Sequence, residues 1–173
     1  MATMVADTTI DGGQSIPHIE AHHDSISSQS SSSLPDVISL PKKADVIAPD
    51  GSEVRILART ERASMANFRL APGQVTIGVV HRTVDEVWMV TGGEGSIWRC
   101  PDGGRPELGS EDKLVPGVSI PIPVGTHFQF RAAEGGKGLD ILGVTVPPWP
   151  GEGEAVESEV APWKANVEGG VAA

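Results

Sequence analysis

From about residue 50 to residue 146, short apolar runs are interrupted every few residues by glycine, proline or aspartate, and none keeps a helical period. Pairs such as Gly92-Gly93 and Pro116-Gly117 supply the backbone angles that chain reversals need. Many short strands in one small domain are typical of two packed sheets, so we predict an all-β jelly-roll barrel. The candidate strands are Val54–Ala58, Ala66–Leu70, Val75–His81, Glu86–Thr91, Gly95–Cys100, Lys113–Val115, Ser119–Ile122, His127–Ala132 and Leu139–Val146.

Composition divides the chain into three regions. Residues 1–49 are poor in aromatic residues and contain a serine-rich stretch, so we predict a disordered N-terminal arm. Residues 50–151 carry the strand pattern and form the predicted β-barrel domain. Residues 152–173 are acidic and rich in small residues, and we expect a loosely packed C-terminal tail.

Charge and hydropathy exclude several classes of partner. Thirteen basic against twenty-three acidic residues give a net charge of −10, and no basic stripe is present that could track a phosphate backbone, so we expect no nucleic acid partner. No apolar run is long enough to span a bilayer, and the N-terminus lacks the basic start and apolar core of a signal peptide, so we expect a cytoplasmic protein without a membrane partner. Cys100, the single cysteine, cannot form an internal disulfide.

A first spaced motif runs from Gly73 to Gly93. It has the form glycine, five residues, Val79, one residue, His81, four residues, Glu86, six residues, glycine. Side chains alternate across a strand, so Val79 and His81 share one face, as Glu86 and the residue two positions later do on the next strand. The short turn between the two strands makes His81 and Glu86 neighbours.

A second motif runs from Gly117 through Pro123 and Gly125 to residue 132. The alternation of Phe128 and Phe130 with polar neighbours predicts that the phenylalanines face the interior and that His127 faces outward. A bulge near residues 125–126 would instead turn His127 inward, because a bulge changes the face that a side chain meets.

Together the two motifs resemble those of the cupin superfamily over about residues 50–147. Relative to the family pattern, Val79 replaces the first histidine, Phe128 the histidine of the second motif, and Ala132 its asparagine. The resemblance implies a double-stranded β-helix, a small-molecule substrate and assembly as a homodimer. The superfamily includes dioxygenases, isomerases, cyclases, lyases and plain binding proteins, so the fold does not select a reaction.

Our first functional hypothesis is a metabolic enzyme of the isomerase, cyclase or dehydratase type that binds no metal. His81 would act as general base, oriented by Glu86, and Arg131 or another polar group would receive developing negative charge. Large side chains of the two motifs and their neighbouring strand would form the pocket walls. The predicted catalytic residues are His81 and Glu86, and the predicted substrate-binding residues are Trp88, Trp98, Phe128 and Arg131.

Two alternatives stay open. His81, Glu86 and His127 would form a two-histidine, one-carboxylate set for a single divalent ion, namely iron, manganese, nickel or zinc, as in a metal-dependent dioxygenase. A ligand-binding cupin without turnover would also be expected to carry a degenerate motif. A histidine next to a glutamate at a strand turn is compatible, in addition, with a purely structural polar pair.

Overall fold

The computed structural model describes residues 34–101, 103 and 105–170. Among these residues, those from Asp36 onward belong to one compact unit, to which Leu34 and Pro35 do not belong. The strands are β1 (Val46–Ile47), β2 (Glu53–Arg59), β3 (Ser64–Leu70), β4 (Val79–His81), β5 (Asp85–Gly93), β6 (Gly95–Cys100), β7 (Ser110–Leu114), β8 (Ser119–Ile122), β9 (His127–Ala132), β10 (Leu139–Val146) and β11 (Ala155–Glu157), with one 3-10 turn at Pro106–Leu108.

The strands form two antiparallel sheets, which confirms the predicted all-β jelly roll. One sheet has six strands in the order β1-β2-β3-β10-β5-β8, and the other has five in the order β11-β4-β9-β6-β7. The inner faces of the two sheets enclose an apolar core. Strands distant in sequence, such as β3 and β10, are neighbours, so the first and last parts of the domain are joined within one sheet.

Alternation along the strands decides which residues enter the core. On β9, Phe128 and Phe130 are each 1% exposed and belong to the core, as the sequence pattern predicts. On β5, Glu86, Trp88 and Val90 face inward while the residues between them are exposed. The inward-facing residues of β5 and β9 therefore follow from the alternation of the sequence, because successive side chains of a strand point to opposite faces of the sheet.

The glycine that ends the first motif has a structural role. Gly93 adopts a positive φ of 76°, and a Cβ at this position would collide with the carbonyl oxygen of Gly138 on a neighbouring turn. A larger residue would be excluded by both constraints. Gly93 thus allows the turn after β5 to pack closely against the turn before β10.

The segment predicted as one strand from Val75 to His81 is regular only over β4. Before it, the amide of Val75 donates to the Asn166 side chain (2.7 Å) and that of Ile77 to the Asp50 carbonyl (2.9 Å). These two partners lie outside the sheet ladder. The first half of the segment pairs with β9 only through an isolated bridge between Val75 and Arg131, so it does not form a continuous strand with β4.

The ends of the chain contribute more than the sequence analysis expects. Of the predicted disordered arm, residues 1–33 lie outside the described residues, but β1 falls within its last part and pairs with β2. The predicted loose tail contributes β11, which pairs with β4 so that Ala155 lies opposite His81. Strands of two and three residues are too short to show alternation, which explains why the sequence did not reveal them.

The part of the tail around Trp163 packs on the outer face of the five-stranded sheet. Gln129, 1% exposed, donates to the carbonyl oxygens of Thr76 (2.6 Å) and Trp163 (2.9 Å) and accepts from the Trp163 amide (2.9 Å). The guanidinium of Arg131 lies 4.1 Å above the Trp163 ring. The tail is therefore held by a buried polar anchor and a cation–π contact.

No helix among the described residues is long and apolar enough to cross a membrane.

We predict that Gln129→Leu loosens this tail. The substitution leaves the Trp163 amide and two carbonyl oxygens without their partner, which costs about 2–3 kcal/mol of unfolding free energy. Urea denaturation measures that loss, and faster tryptic cleavage after Lys164 reports tail release. Glu157→Gln, an exposed change in β11, serves as the control. Unchanged stability together with unchanged cleavage in Gln129→Leu would contradict this role.

Candidate active site

His81 and Glu86 meet inside the barrel, where β4 ends and β5 begins. His81 is 4% exposed and Glu86 3% exposed, and the His81 Nδ1 lies 3.7 Å from the Glu86 Oε2. This separation is too long for a hydrogen bond. The structure thus brings the two predicted catalytic side chains together as close neighbours.

The turn between them is fixed by a residue that the sequence analysis did not select. Glu154, in the predicted tail, accepts hydrogen bonds from the amides of Thr83 (2.7 Å) and Val84 (3.0 Å) and from the Thr83 hydroxyl (2.6 Å). Burial raises the pKa of Glu154, but these hydrogen bonds outweigh burial and leave the pKa below its usual value. A charged Glu154 therefore clamps the turn that orients His81.

A cavity of about 150 Å³ opens beside the pair. Its lining is chiefly apolar, and Phe128 and Trp149 both make edge-to-face contacts with His81, at centroid distances of 5.1 Å and 5.3 Å. Trp88 lies edge-on to Phe128 at 5.5 Å. Trp88 and Phe128, two of the predicted substrate-binding residues, thus lie in the cavity wall.

The segment that follows β10 forms part of the cavity wall. The amide of Trp149 donates to the Ser64 hydroxyl (2.8 Å), and Arg59 donates to the Trp149 carbonyl oxygen (3.2 Å). The Ser64 hydroxyl also bonds the Thr145 hydroxyl (2.7 Å). These contacts hold the indole of Trp149 against His81.

The cavity shifts the two pKa values in opposite directions. Burial lowers the pKa of His81 to about 4, opposed in part by the charge of Glu154. Burial raises the pKa of Glu86 to about 8, where the Trp88 indole opposes the shift and the Asp50 carboxyl adds to it. Because a medium of low polarity disfavours charge on either group, the pair at neutral pH is an uncharged imidazole next to a carboxylic acid.

Asp50 is a further acidic residue of the cavity wall that the sequence analysis did not select. It is 7% exposed and accepts from both the amide (2.8 Å) and the hydroxyl (2.7 Å) of Ser52. Burial raises the pKa of Asp50, and the bonds from Ser52 oppose that shift. In the sequence this residue looked like a turn residue at the start of the domain, since Gly51 follows it.

His127 does not join His81 and Glu86, so the predicted three-ligand metal set is not formed. His127 Nδ1 bonds the Ser158 hydroxyl at 2.8 Å, on the face of β9 opposite the inward Phe128. No bulge reverses that face, because β9 pairs regularly with Val79 opposite Phe128. Hydrophobic alternation predicted this outward orientation, and the alternative that relied on a bulge is wrong.

The donor set that remains in the cavity does not fit a bound divalent ion. The cavity wall carries one imidazole (His81) and two carboxyl groups (Glu86 and Asp50), while Val79 and Phe128 stand where the resemblance to the cupin motifs would place histidines. Over residues 34–101, 103 and 105–170, no group of three or more histidine, cysteine or acidic side chains could hold a metal. Protein sites for transition metals ordinarily supply three or four such ligands.

Two predicted substrate-binding residues lie elsewhere, and for them the prediction is corrected. Trp98 is 7% exposed on the outer face of β6, opposite Gln129, where Gly109 packs against its indole. Arg131 is on the same outer face, pairs with Glu111 at 2.8 Å and contacts the tail. Neither side chain can contact a molecule in the barrel.

Comparison with known proteins identifies the fold. No family model matches the chain, and no curated sequence matches it significantly. Oxalate decarboxylase from Bacillus subtilis superposes with a TM-score of 0.58 at 18% identity, over 72% of this chain and 32% of that one. A Bacillus halodurans protein, BH2720, gives 0.50 at 20% identity over 64% and 79%, and Drosophila melanogaster CENP-C bound to CAL1 gives 0.50 at 19% identity over 58% and 74%.

The raised pKa of Glu86 predicts a pH-dependent stability. Glu86 has a pKa of about 8 in the folded protein and 4.5 in the unfolded chain, so the folded state holds the proton more tightly. The resulting contribution to the free energy of unfolding is complete below pH 4.5 and is lost as the pH rises through 8. The pKa of His81 is about 4 in the folded protein and 6.5 in the unfolded chain, so this residue makes the free energy of unfolding rise with pH, but only below pH 6.5. From pH 6.5 to 8 the unfolding free energy should therefore fall by about 2 kcal/mol relative to Glu86→Gln. Denaturant titrations of both proteins measure this, and a constant difference would contradict the assignment.

Proposed function

Because this chain has the fold of the cupin superfamily, we propose that it is a small-molecule enzyme that catalyses proton transfer within the barrel, of the isomerase, cyclase or dehydratase type. One observation carries this proposal. His81 and Glu86 are buried 3.7 Å apart in an apolar cavity, with pKa values displaced to opposite sides of neutrality. Pairs of titratable groups separated in this way are typical of acid–base catalysis.

The protonation states assign the roles. An uncharged His81 can accept a proton from a bound molecule, and a protonated Glu86 can donate one to its oxygen. Both groups are buried in a chiefly apolar cavity, and a medium of low polarity strengthens their electrostatic effect on a bound molecule. His81 is therefore the general base and Glu86 the general acid.

The size of the cavity limits the molecule that fits. A volume of about 150 Å³ is similar to that of an engineered apolar cavity that binds benzene. The aromatic side chains of Phe128, Trp88 and Trp149 favour a flat molecule. We therefore expect the reacting part of the substrate to be about the size of one six-membered ring.

A second candidate is a binding protein without turnover. The replacement of motif ligands by Val79, Phe128 and Ala132 favours it, because a binding cavity needs no reactive set. The oxygenase alternative required His127 in the cavity and is not proposed, since that residue lies on the outer face. Homodimer formation and a cytoplasmic location stay predictions.

We predict that the wild type converts cyclohex-3-enone to cyclohex-2-enone, a proton transfer that ultraviolet absorbance follows. Glu86→Gln and His81→Phe each remove one transfer group and should lower kcat/KM about 100-fold or more. His127→Gln, which removes the histidine on the outer face, should leave the rate unchanged. A loss of activity in His127→Gln equal to that in His81→Phe would contradict the assignment. Binding of the enone without conversion would favour the second candidate.

The pH profile of the same reaction tests the roles. With Glu86 as acid, kcat/KM falls about tenfold per unit above pH 8, and with His81 as base it falls similarly below pH 4. Between those limits the rate should be level. A rate that rises through pH 8 would instead identify the Glu86 carboxylate as the base.

A further inference from the structure

The indole N–H of Trp88 is buried and makes no hydrogen bond of good geometry, although it lies close enough to the Glu86 carboxyl to oppose the rise in the pKa of that group. Trp88 is 3% exposed, and buried tryptophans ordinarily satisfy this donor because an unpaired buried polar group costs free energy. The His81 Nδ1 in the same cavity is likewise buried and unpartnered. Two unsatisfied polar atoms next to one cavity are the pattern expected of groups that bind a ligand.

The packing around Trp88 fixes where its N–H can act. Three phenylalanine rings surround the indole, at centroid distances of 5.8 Å (Phe68), 5.5 Å (Phe128) and 5.0 Å (Phe130). Enclosed on these sides, the indole cannot change rotamer without displacing core side chains. The donor is therefore held in place before any ligand arrives.

Trp88 and Glu86 border the same small space, which Gly143 keeps open. Gly143 lies opposite Trp88 in the β5–β10 pairing. A Cβ at Gly143 would lie 2.8 Å from the Glu86 Oε1, 3.2 Å from the Trp88 Cδ1 and 2.5 Å from the Phe68 Cε2. Because Cδ1 is bonded to the indole nitrogen, the donor edge of Trp88 and the carboxyl of Glu86 converge above this glycine.

We propose that the Trp88 N–H and the Glu86 O–H together bind the carbonyl oxygen of an uncharged, ring-sized ketone, which makes Trp88 a third catalytic residue. The inference deepens the proposed function and rests on it. Two donors aimed at one oxygen stabilise the negative charge that develops there during enolisation.

The charges of the cavity favour an uncharged substrate. Among the described residues that line it, Arg59 alone carries a positive charge, and it is exposed and donates to the Trp149 carbonyl oxygen. The other ionisable groups of the lining are the imidazole of His81 and the acidic Asp50 and Glu86. A carboxylate or phosphate on the substrate would find no counter-charge in the interior, and its burial would be unfavourable.

The step balances without any further reagent. In a β,γ-unsaturated ketone, His81 takes the proton from the carbon between the carbonyl and the carbon–carbon double bond, and the electron pair of that C–H bond forms a double bond to the carbonyl carbon. The π electrons of the carbonyl move onto its oxygen, which the Trp88 N–H holds and which takes the proton of Glu86 to give a dienol. Return of the first proton from His81 to the far end of the dienol, and of the oxygen-bound proton to Glu86, completes an isomerisation and restores both groups.

Ligand binding tests the donor directly, without any need for turnover. 4-Fluorophenol imitates the planar enol oxygen, and fluorobenzene has the same ring without it. In binding titrations followed by ¹⁹F NMR, Trp88→Phe should lower the affinity for 4-fluorophenol about tenfold and the affinity for fluorobenzene less than twofold. Trp98→Phe, on the outer face of the barrel, should change neither. Equal affinity of Trp88→Phe and wild type for 4-fluorophenol, or equal losses for both ligands, would overturn the inference.

The wild type provides a second measurement in case Trp88→Phe fails to fold. The ¹⁵N-labelled indole resonance of Trp88, assigned by elimination from Trp98→Phe, Trp149→Phe and Trp163→Phe, should move on addition of 4-fluorophenol and stay in place with fluorobenzene. A resonance that moves with neither ligand, or equally with both, would overturn the donor role.

The two proposals can fail separately. A phenol-specific shift in a protein that does not turn over cyclohex-3-enone supports the Trp88 site and removes the enzymatic function. Full enone isomerisation by Trp88→Phe keeps the function and overturns the third catalytic residue.

Discussion

The loss of solvent around two ionisable side chains is the constraint on which the candidate site depends. In water, imidazole and carboxyl groups next to each other would exchange a proton and form an ion pair. In this barrel, burial penalises the charge on both, so His81 loses basicity while Glu86 retains its proton. The result is a neutral base beside a neutral acid, a combination suited to proton transfer at a carbon atom.

Two apolar side chains of the cavity wall contribute to this constraint. Val79 and Phe128 present hydrocarbon to the cavity at positions where the resemblance to the cupin motifs would place histidines. That hydrocarbon makes the interior less polar, and the lower polarity displaces the pKa values of His81 and Glu86.

Support for the pair comes from the end of the chain. Glu154 clamps the turn before Glu86, β11 pairs with the strand that carries His81, and Trp163 anchors to Gln129 on the outer face. The tail is therefore part of the domain that positions the site. A chain cut before residue 152 would lose the clamp, the extra strand and the anchor together.

Much of this arrangement was predictable from the sequence. Period-two alternation placed Phe128 inside and His127 outside, and motif spacing placed His81 beside Glu86 at a strand turn. Trp98 was not predictable, because Ile97 and Trp98 are both apolar and their order does not reveal which faces inward. Arg131 lies four residues after His127 on the same strand, so the two side chains point to the same outer face. The alternation that placed His127 outside therefore also argued against a place for Arg131 in the cavity.

The residues that the sequence could not reveal act through long-range contacts. Glu154 reaches a turn about seventy positions earlier, with a sequence separation of 71 to its Thr83 partner, and no local pattern encodes such a contact. Asp50 resembles any acidic residue at a turn, and only the closed barrel shows that its carboxyl is buried.

A ¹³C NMR titration of the side-chain carboxyl of Glu86, assigned with Glu86→Gln, tests the central claim most directly. An uncharged pair in an apolar cavity predicts a Glu86 resonance of the protonated form at pH 7 and a midpoint near 8. A midpoint at or below 4.5 would mean that the carboxylate is charged at neutral pH, and would contradict the account.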